Sequence, residues 1–492
     1  MTKPFLSLIL IFFLTAVGCD DFLSQEPQAI LGTTTFYRSE SDALMAVNSI
    51  YDKLNKRYTS NRSLWVFQDV ATPDTETISA EIPIAIIDNF TFGTTSEDID
   101  NFWIQCYEAI TRANLAIAYI PEISMKKSLK DRLIGEAKFL RGWFYFLLIT
   151  TYGEVPLVLH PIDAGDTQTL TQGKASLSDL YNSIEQDFKD AEEVLPWVYP
   201  ESDLGRVTKA AAKAYLAKAC LFQEKWQQAA SKADEVILEA ELNGTFELLE
   251  SFREATWSKN SKESIFEMQS IGGTSGWEDE NEGNTITVWH RPACMRGWGL
   301  NFGTQHLANA FEAGDPRKQY TLLAPGETYD GIILSGNCIP ENHYALLKLM
   351  GDPVYGDGSD ANAAHNFIFM RLAEVYLMKA EAEAELNNLE QAEISLEKVR
   401  SRARNDVLAT PGALPVISNL SQHELIEAIR HERHVELATE MKRFADLRRW
   451  GILAGENQAD GKAFVNGKHD YFPIPQTQID LSQGHLKQND GY

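Results

Sequence analysis

The short motifs in this chain that resemble chemical sites each fail on spacing. His431-Glu432-Arg433-His434 sets two imidazoles around a carboxylate. A zinc-protease helix, however, needs its histidines four residues apart so that both nitrogens reach one face. Three apart, the segment reads as a solvated, charge-rich helical face. Residues 455–462 imitate a phosphate-binding loop with one residue too many, place Ala463 where the metal-binding hydroxyl belongs, and lack a preceding strand. Gly272-Gly273-Thr274-Ser275-Gly276 has no serine at the centre of a G-x-S-x-G frame. Residues 352–360 intersperse aspartates with glycines, at a spacing unlike a known calcium loop. Among 70 acidic residues nothing singles out a carboxylate pair for glycoside hydrolysis. The chain is therefore read as no enzyme, with no catalytic residue, cofactor or metal site.

Binding chemistry is easier to place. A sugar ring offers C–H groups on its face and hydroxyls round its rim, so a receptor wants flat aromatics beneath it and polar planes beside it. Trp277, Trp289, Arg291, Trp298, Tyr329 and Tyr344 are such residues, gathered in one loop-rich stretch with Arg296, and they are the candidate ligand-binding set. Trp277 and Trp289 are expected to stack on ligand from mobile loops. The competing reading makes these rings plugs in a small loop-bound core. Peptide capture would favour an extended groove with backbone partners, and a repeat-protein adaptor would bind no small ligand at all.

Most of the remaining chain reads as helix, which must supply the frame. The alanine-rich segment 207–222 and the segment 226–242 form one helical hairpin, and residues 371–404 repeat its spacing. Ala219, Trp226 and Ala229 match Ala382, Leu389 and Ala392. The pattern resembles tetratricopeptide repeats, with small residues where helices touch and a bulky one at the turn. Further helices are expected over 101–119, 129–150, 178–195 and 423–450. Phe139, Trp143, Phe146 and Leu147 form a core stripe, as do Trp103 and Tyr107, and Gly153 with Pro156 ends the helix behind the first. Between 245 and 366 the pattern turns irregular, with strand-like runs at 264–268 and 285–289. Loops on a rigid frame are where binding groups sit, so this is the expected ligand-binding subdomain, joined by a second loop-like stretch at 71–100.

The first residues carry an address. Lys3 and the apolar run 5–14 are too short a pair to span a bilayer, which takes about 20 apolar residues. They read as a signal peptide over residues 1–18, and Ala16-Val17-Gly18-Cys19 as a lipobox that acylates Cys19. Several acyl chains, at about 0.8 kcal/mol per buried CH₂, hold a protein durably at a membrane. Residues 19–40 then form a tether, 41–244 the N-terminal helical part, 245–366 the loop-rich subdomain and 367–492 the C-terminal helical part. The net charge of −26 opposes nucleic acid as a partner. An oxidising compartment permits a Cys294–Cys338 bridge, although spacing fixes neither distance nor pairing.

Several separated blocks are similar, in order, to the SusD/RagB family. They are Cys19-Asp20-Asp21-Phe22-Leu23, Ala137-Lys138-Phe139-Leu140-Arg141, the exit Tyr152-Gly153-Glu154-Val155-Pro156-Leu157, and Gly205-Arg206-Val207-Thr208-Lys209. Arg371-Leu372-Ala373-Glu374-Val375-Tyr376, Val399-Arg400-Ser401-Arg402-Ala403 and Arg443-Phe444-Ala445-Asp446-Leu447-Arg448-Arg449-Trp450 follow, and the chain ends on Gln488-Asn489-Asp490-Gly491-Tyr492. Arg404 and the turn Glu440-Met441-Lys442 depart from the family's glycines. The resemblance implies a mainly α, tetratricopeptide-like superhelical frame with a loop-rich subdomain. It also implies a surface-exposed outer-membrane lipoprotein that captures glycans, or in some relatives peptides, and delivers them to a SusC-like TonB-dependent transporter. Arg206, Arg371, Asp446 and Arg448 are expected to form structural ion pairs between helices.

Overall fold

The computed structural model describes residues 36–78, 81–163, 165–272, 282–329, 331–334, 338–351 and 363–492. Cys19, Trp277 and the acidic stretch 352–360 lie outside the described residues. The frame consists of α1 (Glu40–Tyr51), α2 (Glu97–Tyr119), α3 (Lys127–Tyr152), α4 (Leu177–Val194), α5 (Lys209–Leu221), α6 (Trp226–Asn243), α7 (Leu372–Glu385), α8 (Leu389–Arg404), α9 (Gln422–Glu436) and α10 (Arg443–Arg449). No described helix is long and apolar enough to cross a membrane.

The two hairpins, α5–α6 and α7–α8, correspond residue for residue at their turns. Glu224 and Asn387, each two residues before the bulky Trp226 and Leu389, both take left-handed backbone at φ 58° and 62°. Ala219, Ala229, Ala382 and Ala392 are buried, so each helix pair closes on methyl groups and backbones approach closely. α6 packs on α7, joining the hairpins into one stack. Thr208 caps α5 by accepting the Ala211 N–H, and Ser421 with Glu424 forms a capping box on α9. Phe139, Trp143, Phe146 and Leu147 are buried along α3, and Gly153, at φ 75°, ends that helix.

Two expected elements differ. The stretch 423–450 is two helices, because Thr439 and Met441 take φ of 63° and 60° and turn the chain between α9 and α10. Met441 thus holds a left-handed position without glycine's freedom. The run 285–289 is no strand: Thr285 is the N-cap of a short helix, Ile286–His290. Its alternation of β-branched residues suits a strand, yet the Asn284 side chain accepts the Ile286 N–H at 2.5 Å and starts a helical turn instead. By contrast β2 (Ser264–Met268) is a strand, pairing antiparallel with β8 (Phe367–Arg371).

β8 delivers Arg371 to the centre of a buried charge network. Its guanidinium reaches Glu436 at 2.5 Å, Glu440 at 2.7 Å and Glu263 at 3.0 Å, and Arg402 reaches Glu263 at 2.9 Å. Burial alone would raise Glu436, but the guanidinium groups of Arg402, Arg371 and Arg317 outweigh it and hold its carboxyl well below the usual range. Glu440, against Arg371, Lys348 and Lys442, behaves alike. Arg206 pairs with Glu136 at 2.9 Å and Asp446 with Arg433 at 2.9 Å, both between helices or their flanks. Arg448 departs from that expectation, donating to the Thr150 and Asp470 carbonyl oxygens.

Candidate functional site

A face built from short strands and loops is held against this frame. β1 (Thr75–Glu76) pairs antiparallel with β3 (Phe302–Gly303), and Gly303 exchanges backbone hydrogen bonds with Tyr344 at 2.8 and 2.9 Å. β4 (Leu322–Leu323) pairs with β7 (Ala345–Leu346), and β5 (Thr328–Tyr329) with β6 (Ile332–Ile333). A Cβ on Gly303 would come within 2.7 Å of the end of the Leu322 side chain, which would have to shift. Gly297 is more tightly constrained, since its Cβ would strike the Arg291 carbonyl oxygen at 1.9 Å.

The face has its own small core. Trp257, Met295, Phe302, Leu334, Ile339, Leu347 and Met350 cluster beneath it, and the Trp257 indole donates to the Lys348 carbonyl at 3.2 Å. Cys294 and Cys338 form a disulfide across a sequence separation of 44, with Cα atoms 5.5 Å apart. A loop assembly with so little apolar burial gains most from such a link, which removes freedom from the unfolded chain.

The candidate residues divide by burial. Trp289 is only 3% exposed and packs edge-on against half-buried Trp298, ring centroids 4.5 Å apart. The guanidinium groups of Arg57 and Arg62 lie over it at 5.6 and 5.2 Å, and Trp65 is beside it at 6.3 Å. The Trp289 ring is therefore placed in the interior, not on a mobile surface loop, because the helical turn 286–290 rotates it inward against Trp65. Arg291 donates to the Met350 carbonyl at 3.1 Å, and Tyr329 to that of Gly351. Tyr344 stands among polar side chains at the half-exposed surface. Its hydroxyl donates to Gln305 at 3.1 Å, and Lys318 lies 6.0 Å from its ring. Next to it His343 meets Glu76 at 3.1 Å, so the 71–100 stretch does reach this face.

That group combines an aromatic plane with an amide, an imidazole, a carboxylate and an ammonium around it. Such a set can stack on one face of a sugar ring while hydrogen-bonding its rim. Gln305, His343 and Glu76 were missed by sequence reasoning, since no periodicity relates positions so far apart. A concavity of about 710 Å³ runs along α2, away from that group, lined by Trp103, Tyr107, Arg112, Gln172, Gln478 and Leu481. Trp103 and Tyr107 thus floor a groove as well as packing inward, and the Tyr107 hydroxyl donates to the Pro156 carbonyl at 2.6 Å. His431 and His434 do not converge: His431 Nε2 lies 2.8 Å from the Ala310 carbonyl oxygen, whereas His434 faces Asp74.

Comparison with known proteins returns one group throughout. The SusD family model matches residues 262–492. A second model, described as starch-binding and associating with the outer membrane, matches residues 21–221. A SusD-like protein of Formosa agariphila is 26% identical over 528 aligned positions, spanning 96% of this chain and 97% of its own. One from Bacteroides ovatus is 24% identical, spanning 89% and 80%. Among solved structures, a laminarin-binding SusD-like protein superposes with a TM-score of 0.76 at 27% identity, covering 93% of this chain and all (100%) of that one. A SusD homolog from Bacteroides thetaiotaomicron shares the fold with a TM-score of 0.79 at 22% identity, covering 94% and 98%.

Proposed function

The chain belongs to the SusD family, and from that premise we propose that it is a surface-exposed outer-membrane lipoprotein, anchored through Cys19, that captures an oligosaccharide and passes it to a SusC-like TonB-dependent transporter. It binds and does not turn its ligand over. The observation that carries this reading is the end-to-end likeness to a laminarin-binding protein at 27% identity. The aromatic and polar surroundings of Tyr344 support it, being of the kind that recognises a sugar ring. The acidic net charge of −26 agrees with a neutral ligand better than an anionic one.

Calorimetric titration against a panel of neutral glucan oligosaccharides and of peptides tests the ligand class. Saturable binding of an oligosaccharide, with no product released over hours, is the expected result. Binding of peptides alone would overturn the glycan reading. Membrane fractionation of Cys19→Ser tests the anchor, since the thioether to lipid requires sulfur: the variant is expected in the soluble fraction. Copurification with a TonB-dependent transporter tests the partner.

A further inference from the structure

Close to the loop face, three distant parts of the chain converge on one carboxylate. Asp74, just ahead of β1, is 2% exposed. His434 Nε2, on α9, lies 2.9 Å from both its oxygens, and His306 Nδ1, on the short helix Gln305–Ala310, lies 3.1 Å away. The three donor atoms all fall within 4.8 Å of one another. On the far side of its ring, His306 Nε2 meets Glu456 at 3.2 Å. Arg443 approaches Asp74 at 3.4 Å, and Asp460 is within electrostatic range.

We propose that Asp74, His306 and His434 form a binding site for a divalent transition-metal ion of the zinc type. Two imidazole nitrogens and one carboxylate oxygen are a donor set suited to such an ion, and three protein ligands leave a fourth position for water. The ion would take the place of the hydrogens now lying between Asp74 and the two rings. Tetrahedral ligands at about 2.0–2.1 Å from zinc stand roughly 3.3 Å apart, so each nitrogen needs to move only a few tenths of an ångström from the Asp74 oxygens, and the two nitrogens lie within 4.8 Å of one another. Glu456 already does what an outer carboxylate does in zinc sites: it holds one nitrogen of His306 and so directs the other inward. The charge also suits a dication. The carboxylates of Asp74, Glu456 and Asp460 outnumber the Arg443 guanidinium and the Lys462 ammonium around the cluster. Access exists because the His306 side chain is 36% exposed.

Such an ion would tie β1, which carries Glu76, to the frame helix α9, and would fix the helix whose first residue, Gln305, holds the Tyr344 hydroxyl. It would therefore stiffen the face that the proposed function assigns to ligand, although its own test does not depend on that function.

The test uses the full chain extracted in detergent, stripped with chelator, loaded with Zn²⁺, desalted and assayed for metal by mass spectrometry. One zinc per chain is expected, with His306→Ala and His434→Ala retaining almost none. His431→Ala, whose imidazole faces a backbone carbonyl elsewhere, should retain it fully. Glu456→Gln should weaken zinc affinity by about 10–100-fold against a competing chelator. Equal zinc in wild type and in the His306→Ala/His434→Ala double variant would overturn the site. Co²⁺ loading of wild type gives a second readout that requires no variant to fold: intense visible bands of a tetrahedral ion support the site, and the weak spectrum of hydrated Co²⁺ overturns it.

Discussion

The helical frame and the loop face bury their contents differently. In the frame, charges are enclosed and answered by other charges: Arg317, Arg371, Glu263 and Glu436 are all essentially inaccessible and mutually paired. On the loop face, Tyr344, His343 and Gln305 keep polar atoms at the surface, and stability rests on a disulfide and a small apolar cluster. The contrast teaches where a ligand can be accommodated without cost to the fold. Removing one partner from a buried ion pair strands the other, whereas a half-exposed side chain can exchange water for ligand.

The largest expected effect comes from acid. Glu436, Glu440 and Asp446 have folded-state pKa values below their unfolded ones. The stability they contribute is complete above the unfolded carboxylate range and is lost as pH falls through the folded values. Denaturant midpoints followed by circular dichroism should drop steeply between about pH 5 and about pH 2, and a flat profile there would contradict the network's role. Next, Arg371→Ala strands Glu263, Glu436 and Glu440 and should cost about 3–5 kcal/mol in chemical denaturation, or prevent folding. A variant as stable as wild type would mean these carboxylates find water.

Trp289→Ala probes the boundary between the regions. Its ring is enclosed, so the change should cost about 3–5 kcal/mol of stability, read in thermal melts. Unchanged stability with lost ligand affinity would instead return Trp289 to the binding surface. Cys294→Ser with Cys338→Ser should cost about 2–4 kcal/mol, confined to the loop face. Hydrogen exchange would detect this as faster exchange over 293–350 with the frame protected. The smallest stability effect is expected at Tyr344→Ala, under about 1 kcal/mol, with a loss of about 2 kcal/mol in oligosaccharide affinity. Affinity within twofold of wild type would move the ligand elsewhere, the α2 groove being the next surface to examine.

The frame was legible because it is periodic. Alanines at the helix contacts, bulky residues at the turns and the break at Gly153 are local signals that α-helix geometry converts directly into packing. The loop face was less legible, since its residues pair through contacts hundreds of positions apart in the chain, such as Glu76 with His343. The run 285–289 shows the limit: a strand-like alternation became a helical turn once Asn284 and the chain returning at Trp298 provided its hydrogen bonds.

By itself, then, the sequence determined the helical class, the paired hairpins and the family, because each is written in composition, spacing or contiguous motifs. Tertiary structure alone decided that Trp289 points inward, that Tyr344 gathers Gln305 and Lys318, that Cys294 meets Cys338, and that His434 joins Asp74 and His306 and not its neighbour His431. Those outcomes depend on which backbone segments are brought within a few ångströms of one another, and burial and hydrogen bonding across the whole chain set that, not the residues on either side.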